Sequence, residues 1–459
     1  MEEHYRVISY ADDLKPAITS MEELQLVNDA SALFEAASGC RLHRDPASLK
    51  CKLLPLGKWR QQLSQDDLPD DCKYFVLSDH LDMVGVQLRA TWIQTRKANG
   101  DIIQQRVSST INPWRAGKFM PLTMRPWSVN TYALSKVWFR CGSVDLREGD
   151  ISAISKSFKS WLYADLFEKP SEAVMCRPVS HGGLGVNSVR YKAKATLIRT
   201  FLETSVNPKF RHSLLHTTMF KYHVLGHTTV PNPGFPPYYP PSFFDTIRKV
   251  HQESPNEVST MSIKEWSKFL TEENVTMDDP STSHFTPCRA ETSSPTTDFP
   301  LSWRLCRLKG LGSDLATFNF KLLHRLLVTR ERQHQLGTAA SPLCPLCSNA
   351  SEDLQHALIQ CDYNHDVGKK LLGSIKNYIP EISGPALLRL ELPNVAEDLE
   401  FSLTFFTSSI LMFIWDKRMV KSRISLYDIR ATLEAKCLLL RKTRLAGKVP
   451  FLEELLNNS

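Results

Sequence analysis

The sequence predicts an α+β fold, with a small strand-and-helix region at the start and mostly helical regions after it. Two short hairpin patterns and one capped helix fall within the first 88 residues, and beyond them apolar residues recur mainly at helical spacing. A compact cysteine and histidine cluster near the other end predicts a small metal-binding helical module. The chain of 459 residues is long enough for about two to four domains.

An acidic turn between two short strands is the first predicted element. Residues 5–9 and 14–19 are predicted as antiparallel strands, joined by Tyr10-Ala11-Asp12-Asp13. Adjacent carboxylates at the tip of a hairpin suit a divalent cation, because the paired strands hold both side chains in place. Asp12 and Asp13 are therefore candidate metal ligands, and a solvated acidic turn is the alternative.

A helix and a second hairpin come next. Ser20-Met21-Glu22-Glu23 is a capping box that begins a helix, and Gly39 ends it. The apolar residues between them recur at helical spacing: Leu26, Ala30, Leu33 and Ala37. Residues 81–88 predict a tight hairpin around Gly85.

Positive charge is concentrated in the middle of the chain. The net charge is +7, but residues 1–80 hold 9 basic and 14 acidic side chains, whereas residues 89–225 hold 21 basic and 8 acidic ones. This distribution suits a groove for a phosphate backbone beside a metal site, and a solvated basic surface is the alternative. Tryptophans interleave with these cations and either pack a helical core or stack on bases: Trp92, Trp114, Trp127, Trp138 and Trp161.

Changes in composition divide the chain into five predicted segments. The strand-and-helix region covers residues 1–88, and a basic helical region covers 89–228. Residues 229–300 are predicted as a proline-rich strap and a flexible linker, because they are rich in Pro, Ser, Thr and Asp. A metal-binding segment over 301–365, with a helix predicted at 315–332, and a basic helical tail over 366–459 complete the chain.

The most apolar stretch predicts a buried helix rather than a membrane span. Residues 401–415 are only 15 residues long and are interrupted by serine and threonine, whereas a span needs about 20 apolar residues. No secretory signal pattern is visible near Met1. We therefore expect a nuclear or cytoplasmic protein that does not cross a membrane.

The cysteine cluster predicts a zinc site. Most of the eleven cysteines are scattered, which argues against a disulfide framework, but Cys344, Cys347, His356 and Cys361 form the pattern C-x2-C-x8-H-x4-C. Two thiolates two residues apart bind a tetrahedral Zn²⁺ from a tight turn, and the following helix supplies the imidazole and the last thiolate. His356 and Cys361 would lie about 140° apart on an ideal helix, so the helix is expected to end near Gln360. The alternatives are buried cysteines beside an unrelated histidine, or His365 as the ligand in place of His356.

These motifs resemble the carboxy-terminal part of the reverse transcriptase of non-LTR (LINE-type) retrotransposons, over nearly the whole chain. Tyr10-Ala11-Asp12-Asp13 matches the catalytic turn of that family. Ser38-Gly39-Cys40-Arg41-Leu42-His43 through Lys50-Cys51-Lys52 matches the element after it, and residues 81–86 match the primer-gripping hairpin.

The resemblance continues in the second half of the chain. Residues 125–140 and Gly182-Gly183-Leu184-Gly185 look like the thumb of the polymerase, and residues 303–361 are similar to the zinc-binding segment that follows it. The resemblance thus implies a partial palm over residues 1–88 and a helical thumb over residues 89–228.

The family copies RNA into DNA from a primer on nicked target DNA. By resemblance, Asp12 would be a Mg²⁺ ligand, Asp13 a supporting carboxylate and Lys50 the proton donor to the leaving pyrophosphate. The partners implied are an RNA template and a DNA primer or target, and the cofactors are catalytic Mg²⁺ and structural Zn²⁺.

The family's other catalytic aspartate, its fingers and its endonuclease are not found in this sequence. We therefore expect the chain to be inactive as a polymerase unless a missing amino-terminal reverse-transcriptase segment completes it. The alternative expectation is a non-enzymatic, zinc-dependent nucleic-acid-binding protein derived from a retroelement.

Overall fold

The computed structural model describes residues 7–10, 13–48, 50–115, 120–206, 261–274, 299–392 and 395–457. Over these residues the protein is mostly helical with a few short strands, which confirms the α+β class. The chain forms two compact units. The first unit comprises residues 1–110, 134–156 and 189–268, and the second unit comprises residues 111–133, 157–188 and 269–459. The predicted palm, thumb and segment boundaries stay predictions.

The strands pair two by two. They are Val7–Tyr10, Asp13–Pro16, Lys52–Leu53, Val76–Leu77, His80–Met83 and Val86–Arg89. The first two and the last two form antiparallel hairpins, and the middle two form a short parallel pair.

The α-helices of the first half are Met21–Ser38, Trp59–Gln62, Trp92–Arg115, Arg125–Ser128, Ser135–Cys141, Glu148–Leu162, Glu172–Cys176 and Val189–Val206. Those of the second half are Ile263–Asn274, Phe299–Cys306, Ser313–Leu323, Arg330–Gln335, His365–Lys376, Gly384–Leu388, Glu397–Met419, Leu426–Arg441 and Val449–Asn457. The first of these, Ile263–Asn274, lies within the predicted strap and linker, of which residues 229–260 and 275–298 lie outside the described residues.

Both predicted hairpins are present. In the first hairpin Tyr10 pairs with Asp13. Asp12 itself lies outside the described residues. In the second hairpin, Val84 and Gly85 connect the strands with φ of 47° and 78°. Positive φ at both central residues is typical of a type I′ turn, whose twist matches that of the strands.

The predicted first helix is confirmed, but its apolar stripe is not its buried face. The Ser20 side chain accepts a hydrogen bond from the Glu23 N–H at 3.2 Å, and Gly39 ends the helix with φ of 73°. The buried residues are Leu24 and Asn28, whose Oδ1 accepts from the Tyr74 hydroxyl at 3.0 Å. The stripe that contains Leu26 and Leu33 is exposed.

The core helix of the second unit, Glu397–Met419, is buried on every side along much of its length. Every residue from 401 to 411 is buried, including Phe406, which has no exposed surface. The helix has the length and apolar composition of a membrane span, but 78% of its most apolar stretch is buried inside the protein. Burial on all faces is typical of a core helix, so the prediction of a buried helix over residues 401–415 is confirmed.

The prediction of one continuous helix over residues 315–332 is wrong. The helix Ser313–Leu323 ends before Arg325, whose φ of 51° is left-handed and breaks the helical path. A second helix, Arg330–Gln335, begins when the Thr329 side chain accepts from the Arg332 N–H. The break still lets apolar residues of this segment reach the core, where four of them are buried: Leu315, Phe318, Leu322 and Leu326.

A tight turn requires the three glycines of the motif Gly182-Gly183-Leu184-Gly185. Gly182 and Gly185 have φ of 78° and 69°, a conformation that side chains rarely adopt. A Cβ on Gly183 would lie 1.8 Å from the carbonyl oxygen of Arg177. The backbone conformation and the close approach of Arg177 therefore require glycine here, and the motif needs no functional explanation.

Candidate metal centre

A tight turn places Cys344 and Cys347 side by side. The Cys344 N–H donates to the Ala350 carbonyl at 2.8 Å, and the Ser348 N–H donates to the Cys344 carbonyl at 2.9 Å. Ser348 has a left-handed φ of 57°, which lets the chain reverse, and a bridge between Leu343 and Ser351 closes the turn. Both thiols therefore project from one short loop.

A single π-helical turn and the residue that follows it supply the other two candidate ligands. The turn spans His356–Gln360, and the Cys361 N–H donates to the His356 carbonyl at 2.8 Å. Cys361 then leaves the helical path with φ of −59° and ψ of 133°, which returns its thiol toward His356. This confirms that the helix ends at Gln360. The Asp353 carboxylate accepts from the His356 N–H at 2.6 Å and so caps the turn.

The four side chains converge on one point. Their ligand atoms, from Cys344, Cys347, His356 and Cys361, all lie within 4.8 Å of one another. Cys344 Sγ is 3.8 Å from Cys361 Sγ, and Cys347 Sγ is 3.3 Å from His356 Nε2. Tetrahedral zinc with bonds of about 2.3 Å to sulfur and 2.0 Å to nitrogen gives edges of roughly 3.8 and 3.5 Å. The cluster can therefore hold a metal ion.

His356, and not His365, completes the cluster. His365 begins the next helix, where its Nδ1 lies 3.8 Å from the Asp366 carboxylate. The imidazole of His356 is buried in contact with a cysteine thiol, so it is not an unrelated histidine beside buried cysteines.

A buried ion pair that the cysteine and histidine pattern does not reveal lies beside the cluster. Glu352 is completely buried, and its Oε1 lies 3.6 Å from Cys344 Sγ. The same carboxylate accepts a hydrogen bond from Arg418 Nε at 2.6 Å and one from the Arg330 N–H at 2.7 Å. Arg418 is 66 residues away in the chain, so no local pattern connects it with the cluster.

Burial raises the pKa of two thiols of the cluster, those of Cys344 and Cys361. It raises the pKa of Cys361 to about 12, with a further contribution from the nearby Cys344 and Cys347 thiols. These two thiols are therefore protonated at neutral pH and must lose their protons to bind a metal.

Metal binding is therefore expected to release at least two protons per ion near pH 7. Because the protonated thiols compete with the metal, affinity should fall as pH falls, by about 100-fold per pH unit for two protons. Calorimetric titration with Zn²⁺ in buffers of different ionisation enthalpy measures the number of protons directly. Binding that releases no protons, with equal affinity at pH 6 and pH 8, would contradict this prediction.

The residues predicted for magnesium and polymerase chemistry are only partly described. Lys50 Nζ lies 3.0 Å from His43 Nε2, and both residues are exposed. Asp12 lies outside the described residues, and Asp13 is described through its backbone, as the first residue of its strand. The Mg²⁺ site and the role of Lys50 stay predictions.

Exposed cations lie beside the cysteine and histidine cluster. The Arg423 guanidinium stacks 5.8 Å from the ring centre of Tyr363, which follows Cys361 by two residues. A cavity of about 390 Å³ in the second unit is lined by Pro345 of the cysteine turn, by Arg330 and by the exposed Lys421. The end of the core helix and the residues after it therefore place positive charge next to the cluster.

No protein-family model matches the chain, and no curated protein matches it.

Proposed function

We propose that this protein binds RNA or DNA through its second unit, which a zinc ion stabilises. We also propose that the chain is related to the carboxy-terminal part of LINE-type reverse transcriptases. The observation that carries the proposal is the contact between Arg423 and Tyr363, which brings the basic residues after the core helix to the metal-binding cluster.

The donor set favours Zn²⁺ over other metals. Three thiolates and one imidazole are soft or borderline ligands that suit tetrahedral Zn²⁺ and not Mg²⁺ or Ca²⁺. All four positions around the ion would be filled by protein side chains, as in structural rather than catalytic zinc sites. The ion would therefore stabilise the fold of this unit and leave binding to the residues around it.

The surface beside the cluster has the groups that bind a nucleic-acid chain. Lys421 and Arg423 are exposed, and 43% of the Tyr363 surface is accessible. Cations of this kind bind backbone phosphates, and an exposed aromatic ring stacks on an unpaired base. Single-stranded RNA or DNA combines both features.

The amino-terminal hairpin supports a polymerase origin without supplying a whole active site. Its antiparallel strands pair Tyr10 with Asp13, as the predicted acidic turn requires. A two-metal site takes a further carboxylate from a neighbouring strand, whereas each sheet in the described part of the chain has only two strands. We therefore propose that this chain does not polymerise DNA unless a separate reverse-transcriptase segment completes its palm.

The affinity for nucleic acid is expected to fall as the salt concentration rises and to depend on the second unit. Fluorescence anisotropy with single-stranded oligonucleotides from 50 to 200 mM salt should give a linear fall of log affinity against log salt concentration. Replacing both Lys421 and Arg423 by Gln should reduce that slope by roughly 1.4 if each cation contacts one phosphate. Cys347→Ser should weaken binding about tenfold or more, whereas Asp12→Ala should leave it unchanged.

The control is Lys73→Gln, which removes an exposed cation of the first unit that is paired with Asp70. Equal salt slopes for the wild type and the Lys421 and Arg423 variant would refute the proposed surface. In a parallel primer-extension assay with Mg²⁺, a product that disappears in Asp12→Ala would show that the chain polymerises by itself.

A further inference from the structure

A buried ion pair adjoins the metal-binding cluster on the side of Cys344. The Glu352 carboxylate has no exposed surface and lies 3.6 Å from the Cys344 sulfur. Arg418 donates to both oxygens of that carboxylate, and only 7% of its side chain is exposed. The pair and the cluster therefore share one water-poor region.

Without Arg418 this region would carry a net charge of about −2 when a divalent ion is bound, and with Arg418 it carries about −1. Three thiolates and one divalent ion leave the centre with a net charge of about −1, because the imidazole is neutral when it binds the metal. Glu352 adds a second negative charge beside Cys344. In the absence of metal the Cys344 thiol donates a hydrogen bond to Glu352. When Cys344 binds a metal as a thiolate, the thiol proton is lost, and the negatively charged sulfur and carboxylate repel each other. Arg418 supplies the positive charge that offsets this repulsion.

The second unit holds Arg418 in place independently of the cluster. Arg418 lies near the end of the core helix, which is buried on all sides over residues 401–411. Its guanidinium stacks 4.6 Å from the ring centre of Trp415, one turn earlier. Because the Arg418 side chain is already ordered before the metal binds, metal binding costs little further conformational entropy at this residue.

We propose that Arg418 is a positioning residue that sets the metal affinity of the cluster by neutralising Glu352 beside Cys344. This inference rests on the proposed metal binding, and it adds that the core helix controls that binding through one charge.

The inference predicts an asymmetry between the two members of the ion pair. Arg418→Met leaves a buried, unpaired carboxylate beside an anionic centre and should weaken metal binding. Glu352→Gln keeps an oxygen that accepts from Arg418 and from the Arg330 N–H, but it removes the negative charge. It should therefore leave metal affinity unchanged or increase it.

The test measures metal affinity in the full-length chain for the wild type and three variants. Zn²⁺ affinity is obtained by competition with a chromophoric chelator, and Co²⁺ absorption reports whether the thiolate ligands are retained. We expect a tenfold or greater loss for Arg418→Met. Glu352→Gln should stay within threefold of the wild type or bind more tightly, and the double variant should recover to within threefold.

A purely structural role for the ion pair gives a different pattern. In that case Glu352→Gln alone would weaken binding, and the double variant would be no better than Arg418→Met. Arg418→Lys keeps the charge and should retain affinity, which preserves the test if Arg418→Met does not fold. The matched control is Arg389→Met, because Arg389 pairs with Glu391 at 2.7 Å in the same unit outside the cluster.

The outcomes separate this inference from the proposed function. A wild-type chain that binds neither Zn²⁺ nor Co²⁺ would refute the metal centre itself. A wild-type chain that binds metal, with unchanged affinity in Arg418→Met, would refute only the role of Arg418.

Discussion

Cys347→Ser is expected to abolish tight metal binding and to remove the metal-dependent part of the stability of the second unit. Cys347 Sγ lies 3.3 Å from His356 Nε2, so its loss removes one corner of the proposed tetrahedron. Structural zinc binding contributes roughly 10–16 kcal/mol in small zinc-finger peptides, and a serine hydroxyl is a poor substitute for a thiolate. The affinity for Zn²⁺ should fall by about a thousandfold or more.

Thermal unfolding with added Zn²⁺ and with excess chelator measures this effect. The wild-type chain should unfold at a clearly lower temperature in chelator, whereas the variant should unfold at one temperature in both conditions. Cys347 is only partly buried, so the exchange of sulfur for oxygen costs little packing by itself. Cys40→Ser, at an exposed cysteine outside the cluster, is the control. A variant that still responds to Zn²⁺ like the wild type would show that Cys347 is not a ligand.

Phe406→Ala is expected to cause a large loss of stability that is independent of metal. Phe406 is fully buried on the core helix and belongs to the main hydrophobic cluster of the second unit. Truncation of a buried phenylalanine leaves a cavity and typically costs about 3–5 kcal/mol of unfolding free energy. The loss should be the same with Zn²⁺ and with chelator, because Phe406 is not a ligand.

The matched control is Phe167→Ala in the same unit, where 56% of the phenylalanine surface is exposed. That variant should lose clearly less, about 2 kcal/mol at most, because more than half of this side chain stays in contact with water in the folded protein. Chemical denaturation followed by tryptophan fluorescence and circular dichroism measures both variants. Equal losses at the two positions would show that the core helix is not buried as described.

Local patterns predicted several elements correctly because a few neighbouring residues determine them. The capping box at Ser20 and the glycine at Gly39 bracket the first helix, since each satisfies backbone groups at one helix end. Gly85 marks the second hairpin through its positive φ. The spacing of His356 and Cys361 required the helix to end at Gln360, and the structure ends it there.

Other predictions were wrong or incomplete because the spacing of apolar residues does not show which parts of the protein pack against a helix. The pattern at residues 315–332 is helical throughout, but Arg325 adopts a left-handed conformation and divides it. Leu26 and Leu33 have helical spacing and are exposed, while Leu24 and Asn28 are buried. Burial depends on which elements pack against a helix, and the sequence of the helix alone does not specify them.

The sequence by itself predicted the cysteine and histidine cluster, the two hairpins, the capped first helix and the buried character of residues 401–415, whereas the choice of His356 over His365 came from the structure. Only the tertiary structure showed that Arg418 reaches Glu352 and that Arg423 stacks on Tyr363. The physical reason is distance along the chain. Hydrogen bonds within turns and helices join residues a few positions apart and leave a readable pattern, whereas contacts between residues 60 or more positions apart depend on how complete elements pack.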